Sequence, residues 1–244
     1  MSKSHNSEIQ DLLVVMPAYN EEASLPLILK EVLRVVPPSC VLVVDDGSND
    51  KTTSVAQAEG VSVITLPFNM GVGGAMRAGF RFACEEGVNN VIQLDSDGQH
   101  DPADIPKLLE GLRSSDIVIG ARFAGKGNYL VSGPRKWAMS MLSWALSKVC
   151  STALTDTTSG YKAMGPRALK LFARNYPAEY LGDTVEALVL AARAGLTVSQ
   201  VPVEMRSRFG GEPSHSPFKS AVYLGRAFLA LIIGLSKAKS ETKS

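Results

Sequence analysis

The chain has 244 residues, of which 45% are hydrophobic and 20% charged, and its formal net charge is +1. That length and apolar content suit one large α/β domain with a well-buried core, and the near-zero charge argues against nucleic acid as a partner. Three cysteines, Cys40, Cys84 and Cys150, are odd in number and far apart, which argues against a disulfide framework or a zinc site and for a reduced, cytosolic interior.

Residues 1–9 are polar and have no apolar h-region, so they read as a disordered tail and not as a signal peptide. From there the apolar pattern predicts strand 12–16, helix 22–35, strand 41–45, helix 51–59, strand 61–66, helix 73–86, strand 91–95, helix 103–113 and strand 116–120. Short apolar strands alternating with helices specify a doubly wound, mostly parallel sheet with helices on both faces. A Gly-rich polar stretch, 122–133, reads as a loop before a helix over 134–154. Beyond it come a short strand near 161–164, helices near 166–174 and 183–194, a strand at 197–205 and a final amphipathic helix over about 217–236. The expected domain is 10–215, followed by an amphipathic, basic tail over 216–244. From Glu204 onward seven basic residues against three acidic ones make the end of the chain net +4, leaving −3 for the rest. No apolar stretch reaches the roughly 18 to 20 residues needed to cross a bilayer; Ala227 to Leu235 covers about half of that.

The richest segment is VIQLDSDGQHDP, in which an apolar run delivers Asp95, Ser96 and Asp97 to a glycine turn. Side chains alternate along a strand, so Asp95 and Asp97 reach toward one point past its end. Paired carboxylates repel unless a cation sits between them, and hard oxygen ligands suit Mg²⁺ or Mn²⁺. An Asp-rich turn capping the next helix is the plainer alternative. Two other strand ends are also acidic. Val41 to Val44 leads into Asp45 and Asp46, and Leu12 to Met16 breaks at Pro17 into Ala18, Tyr19, Asn20, Glu21 and Glu22. Tyr19, Glu21, Asp46, Asp95 and Asp97 therefore belong on one sheet edge, outside the carboxyl ends where α/β sheets bind ligands. The Gly71, Gly73, Gly74 cluster lacks a P-loop ending, and reads as close backbone approach or tight strand–helix packing.

PAYNEE (17–22), VDDGSND (44–50), NMGVGGAMRAGF (69–80), LDSDGQHDP (94–102), IGARF (119–123) and DTTSGYKAM (156–164) stand in an order that resembles the family 2 glycosyltransferases. The set looks most like dolichol-phosphate and polyprenol-phosphate mannose or glucose synthases, over roughly residues 12–225. The resemblance implies a GT-A fold, a GDP- or UDP-hexose donor, a polyprenyl phosphate acceptor and Mg²⁺ or Mn²⁺. It also implies that Pro17, Tyr19 and Glu21 line the base and ribose with Val44 and Asp46, and that Asp45 holds the turn. Asp95 would touch the ribose or a water beyond the metal's direct ligands, with Ser96 among the nucleotide-binding residues, while Asp97 with Gln99, and Asp95, would hold the metal against the diphosphate. Arg122, Arg135 and Arg208 would face phosphates, the last from a late loop, RSRFGGEPSH (206–215). The Ser-Lys ending of that loop is displaced here, with Lys219 the nearest lysine.

The implied chemistry inverts the anomeric carbon. A lipid phosphate is already largely ionised near pH 7, its second pKa being about 6, and needs no strong base. A sugar hydroxyl acceptor needs a carboxylate base, for which Asp183 and Asp156 are the candidates; helix or turn capping is the other reading of each. His100 reads as a hydrogen-bonding support. Trp137, Met141, Trp144 and Lys148 recur on one helical face, and the final helix pairs an apolar stripe with lysines and arginines. Both patterns suit either an anionic membrane surface, with the protein peripheral on the inner face, or packing and homodimer contacts.

Overall fold

In the computed structural model, residues 11–121, 134–177 and 182–209 are described, with side chains from Ser140 in the second segment and Thr184 in the third. Arg122, the side chains of Arg135, Trp137 and Asp183, residues 210–215 of the late loop, Lys219 and the expected final helix lie outside the described residues.

β1 (Leu12–Ala18), β2 (Val41–Asp45), β3 (Ser62–Thr65), β4 (Asn90–Gln93), β5 (Ile117–Ala121), β6 (Lys162–Met164) and β7 (Val198–Pro202) form one sheet in the order β3-β2-β1-β4-β6-β5-β7. β1, β2 and β5 are apolar on both faces because helices cover both, and only Pro17 among their residues is not fully buried. Six strands run in one direction, as the alternation requires. β6 is antiparallel to both neighbours, pairing Gln93 with Lys162 and Ile119 with Lys162. Three residues are too few to carry a directional signal, so its orientation is fixed by the chain entering it from the carboxyl edge.

One layer holds α1 (Leu25–Val32), α2 (Thr52–Ala58) and α4 (Ile105–Gly111). α1 begins with a proline in its first turn and buries Leu25, Ile28, Leu29 and Val32, the i, i+3, i+4, i+7 stripe of a helix facing a sheet. The opposite layer holds α3 (Val72–Glu85), α5 (Pro134–Cys150), α6 (Pro166–Asn175) and α7 (Ala187–Arg193). There Phe80 meets Tyr176 edge-on at 4.9 Å, and Phe172 meets Tyr176 at 5.1 Å. α3 lies close on β1, because a Cβ at Gly79 would sit 2.4 Å from Val15 Cγ1. Tight strand–helix packing thus falls at Gly79, outside the glycine cluster, whereas Gly74 within it gives room to Met70 in the preceding loop, whose Cβ would lie 2.6 Å from an added one.

Several sequence boundaries shift. Helix 103–113 opens as a 3-10 turn, Pro102–Asp104, with the Asp101 side chain accepting from Ala103 N. Helix 183–194 opens as a π turn, Gly182–Glu186. β7 stops at Pro202, and the chain returns at Met205 to make an antiparallel bridge with His100.

Candidate active site

The site forms where the strand order reverses, because β2 and β3 lie on one side of β1 and β4 on the other. Pro17 is level with Val44 and Ala18 with Asp45, while Val15 is level with Gln93. Tyr19, Asp46 and Asp95 consequently leave the sheet at one edge.

The loops after β1 and β2 are tied to one another by reciprocal bonds. Asn20 N donates to Ser48 Oγ and Asn49 N to Asn20 Oδ1, both at 2.9 Å. Glu21 N donates to Thr52 Oγ1 at 2.9 Å, Glu22 N to Asp50 Oδ2 at 3.1 Å, and Lys51 N to Glu22 Oε2 at 3.0 Å. Asn20 sits at φ 54°, a left-handed conformation that asparagine tolerates better than most residues. Asp45 accepts from Ser48 N at 2.9 Å and from the Thr53 hydroxyl, so it holds the turn. Asp46 accepts from Met70 N at 2.7 Å, which draws the loop after β3 over the edge. That loop passes so close to Gly47, at φ 72°, that a Cβ there would lie 2.6 Å from the Phe68 carbonyl carbon. Tyr19, Phe68 and Met70 form an exposed apolar rim beside Asp46. Val44 is fully buried in the layer under α3, so its side chain is floor and not wall.

Across the crevice, the Ser96 hydroxyl donates to Pro17 O at 3.0 Å and locks the end of β4 to β1. The Asp97 carboxylate is buried, with Gln99 N donating to Oδ1 at 2.9 Å and Arg208 Nη2 standing 2.8 Å from Oδ2. Asp95 lies against Gly160, where a Cβ would fall 2.4 Å from Asp95 Oδ2. A side chain at this position would have to displace that carboxylate. The antiparallel β6 brings Gly160 there, with Tyr161 O accepting from Gly120 N at 2.9 Å. His100 is buried, packs on Tyr161 at 5.0 Å and holds Nε2 4.0 Å from Asp95 Oδ2. Asp156 is buried and accepts from the Thr158 hydroxyl at 3.3 Å within its turn.

The electrostatics of this crevice are those of a pocket with surplus negative charge. Burial raises the Asp97 carboxyl above the usual aspartate range, and the neighbouring Asp95 raises it further; Gln99 N–H, Arg208 and His100 oppose the rise. Burial likewise raises Asp46, against bonds from Met70 and Gly71 N–H. Burial also raises Glu21, opposed by Ser24 and reinforced by Asp97. Burial is the first cause of all three rises, and a cation bound there would oppose them by favouring the ionised forms. The residues fit one: Asp95 and Asp97 offer hard oxygens, Gly160 makes a cradle a side chain would fill, and the Arg208 guanidinium already stands on Asp97 as a positive group. Among the described residues no three His, Cys, Asp or Glu side chains are grouped so as to hold a metal ion.

Sequence reasoning placed Tyr19, Glu21, Asp46, Asp95, Asp97 and Arg208 in this crevice; Tyr19, Asp46 and Asp95 leave the sheet at one edge, and Glu21, Asp95 and Arg208 are within electrostatic reach of Asp97. It missed Gly160, the Thr52 and Ser48 braces, and Arg206. The Arg206 guanidinium bonds Glu31 Oε2 at 2.7 Å and His100 O at 3.1 Å.

A mostly parallel sheet between two helical layers, carrying an acidic crevice at the carboxyl ends of β1, β2 and β4, defines the GT-A class. The family described as Glycosyl transferase family 2 matches residues 13–176, and the chain belongs to it, as a glycosyltransferase. It is 37% identical over 217 residues to an undecaprenyl-phosphate mannosyltransferase of Micrococcus luteus, covering 84% of this chain and 87% of that one. It is 30% identical to a polyprenol monophosphomannose synthase of Mycolicibacterium smegmatis, covering 82% and 78%. Among solved structures, glucosyl-3-phosphoglycerate synthase from Mycobacterium tuberculosis with Mn²⁺, UDP-glucose and phosphoglyceric acid shares the fold. Its TM-score is 0.71 at 20% identity, covering 95% of this chain and 82% of that one.

Proposed function

We propose that the protein transfers a hexose, mannose or glucose, from a GDP- or UDP-sugar to a polyprenyl phosphate, with inversion and with Mg²⁺ or Mn²⁺. The observation that carries the reading is the acidic pair of Asp95 and Asp97 at the switch point, with Asp95 set against Gly160 and Asp97 buried beside Arg208. The acceptor class is supported by the relatives, which are a mannosyltransferase for undecaprenyl phosphate and a polyprenol monophosphomannose synthase.

Each described residue has a part in this reaction. Tyr19, Phe68 and Met70 offer apolar surface to the base, and Asp46 a carboxylate to its N–H groups. Glu21, within electrostatic reach of Asp97, would line the base and ribose with Tyr19. Asp97, Gln99 and Asp95 would hold the divalent ion. Bound there, the ion offsets the charge that develops on the departing nucleoside diphosphate. Arg208 is within reach of the same diphosphate, and Arg122 and Arg135 are assigned to the phosphates on sequence grounds. An ionised lipid phosphate attacks the anomeric carbon without surrendering a proton, so orientation matters more than a base. No described helix is long and apolar enough to cross a membrane. The acceptor is then met at a bilayer surface, which the exposed Trp144 and the basic end of the chain suit.

The test is incubation of the protein with radiolabelled GDP-mannose, UDP-glucose and related donors, Mg²⁺ or Mn²⁺, and short polyprenyl phosphates. Label is expected in an acid-labile lipid phosphodiester with one donor, and not in EDTA. Asp183→Asn should retain substantial turnover. A loss of about 10²-fold or more in kcat, the size of general-base removal, would instead assign a hydroxyl acceptor with Asp183 as base.

A further inference from the structure

The segment after β7 lies along the Asp97 loop as a short antiparallel strap. Met205 bridges to His100, Arg206 N donates to Gln99 O at 2.8 Å, and Phe209 N donates to Asp97 O at 3.0 Å. Side chains reinforce it. The Arg206 guanidinium reaches Glu31 on α1 and stands 5.4 Å from the centre of the Phe209 ring. That ring occupies the space over Gly98, where a Cβ would come within 2.2 Å of Phe209 Cδ2. The backbone of Arg208 is therefore held between anchored neighbours, and its side chain alone is left to move. In the structure that side chain is committed to Asp97 Oδ2 at 2.8 Å. A divalent ion on the same oxygen would face a like charge at bonding distance.

We propose that Arg208 is a resident counter-ion occupying the cation position at Asp97, and that an incoming nucleoside diphosphate draws its guanidinium from the carboxylate onto phosphate oxygens, opening Asp97 to the metal. The inference rests on the reading of Asp97 as the metal ligand. Guanidinium pairs readily with either anion, so the exchange replaces one charge-assisted pair by another and leaves no buried charge unpaired. The consequence is reciprocal coupling: diphosphate tightens metal binding and metal tightens diphosphate binding by the same factor. The strap keeps its backbone pairing throughout.

The experiment is a Mn²⁺ titration of the full chain, read as loss of the free-ion electron paramagnetic resonance signal, with and without UDP or GDP, each measured against the same Mn²⁺ and nucleotide without protein. Without nucleotide, Arg208→Gln and Arg208→Met should each bind Mn²⁺ about tenfold tighter than wild type, the scale of one charge-assisted pair. Arg208→Lys, which keeps the charge, should stay near wild type. Nucleotide should then tighten Mn²⁺ binding more in wild type than in the two neutral variants. If the neutral variants bind Mn²⁺ no tighter than wild type while Asp97→Asn abolishes binding, the counter-ion role is wrong and the metal reading stands. If wild type with either diphosphate binds no Mn²⁺, both are wrong.

Discussion

The acidic crevice and the outer face of α5 break the ordinary burial rule in opposite directions. In the crevice Asp45, Asp46, Ser96, Asp97, His100 and Asp156 are buried. On α5 a tryptophan, Trp144, is 65% exposed, and Lys148, one turn on, is also exposed. Buried polar groups and exposed large apolar ones are the informative exceptions in a protein whose remaining core follows the rule. The crevice supports its exceptions with backbone bonds from Ser48 N, Met70 N and Gln99 N and to Pro17 O, and with side-chain partners in Thr53, Thr158 and Arg208. The α5 face needs no such support, because its other side does the packing through Leu142, Leu146 and Cys150. One region buries charged groups around a crevice, while the other leaves a large apolar side chain in solvent.

The largest effects belong to the crevice. Asp97→Ala should lower kcat by about 10³-fold, the scale of removing a group that stabilises leaving-group charge, with an unchanged circular dichroism spectrum. Gly160→Ala is the sharper probe, because it touches no ligand and adds a single methyl group. That methyl must push the Asp95 carboxylate aside, and steady-state kinetics should show a loss of tens of fold, mostly in kcat, on the scale of misplacement by about 1 Å. Wild-type turnover in Gly160→Ala would show that the position of Asp95 is immaterial.

The two sides of α5 should respond oppositely. Leu146→Ala opens a cavity in the core and should cost about 2–5 kcal/mol in urea unfolding. Trp144→Ser should change stability by no more than about 0.5 kcal/mol, yet reduce sedimentation with phosphatidylglycerol vesicles. Undiminished sedimentation would assign the exposed tryptophan to contacts between copies.

The smallest effect concerns pH. Burial first, and Asp95 second, raise the Asp97 carboxyl in the folded protein, so the native state holds that proton more tightly than the unfolded chain does. Stability from this group is therefore present below the ordinary aspartate range and is lost as pH rises through the raised value. In EDTA, Asp97→Asn should match wild type in acid and become relatively more stable toward pH 8 in thermal melts. The reverse trend would mean that the Arg208 pair outweighs burial.

Much of this architecture is legible without coordinates. Strands β1 to β5 and helices α1 to α4 follow from apolar runs alternating with amphipathic ones, a local property of the chain. The acids at three strand ends could be assigned to one edge because parallel strands all finish on the same side of a sheet. Local periodicity stops informing where segments distant in sequence meet. Nothing in DTTSGYKAM indicates that its strand runs against its neighbours and places Gly160 under Asp95. Nor does RSRF indicate pairing with the Asp97 loop, which sets Arg208 on that carboxylate and Phe209 over Gly98. The helical stripe of Trp144 and Lys148 was visible in sequence, but its direction was not. A helix with apolar residues on several faces can turn either inward, and only the fit of Leu142 and Leu146 against the core turned Trp144 out. Sequence by itself determined the layers and the acidic edge, because backbone geometry and hydrophobic period act within a few residues. Tertiary structure alone decided the antiparallel insertion, the strap and the outward tryptophan, because each depends on steric and electrostatic complementarity between surfaces that exist only once the layers have closed.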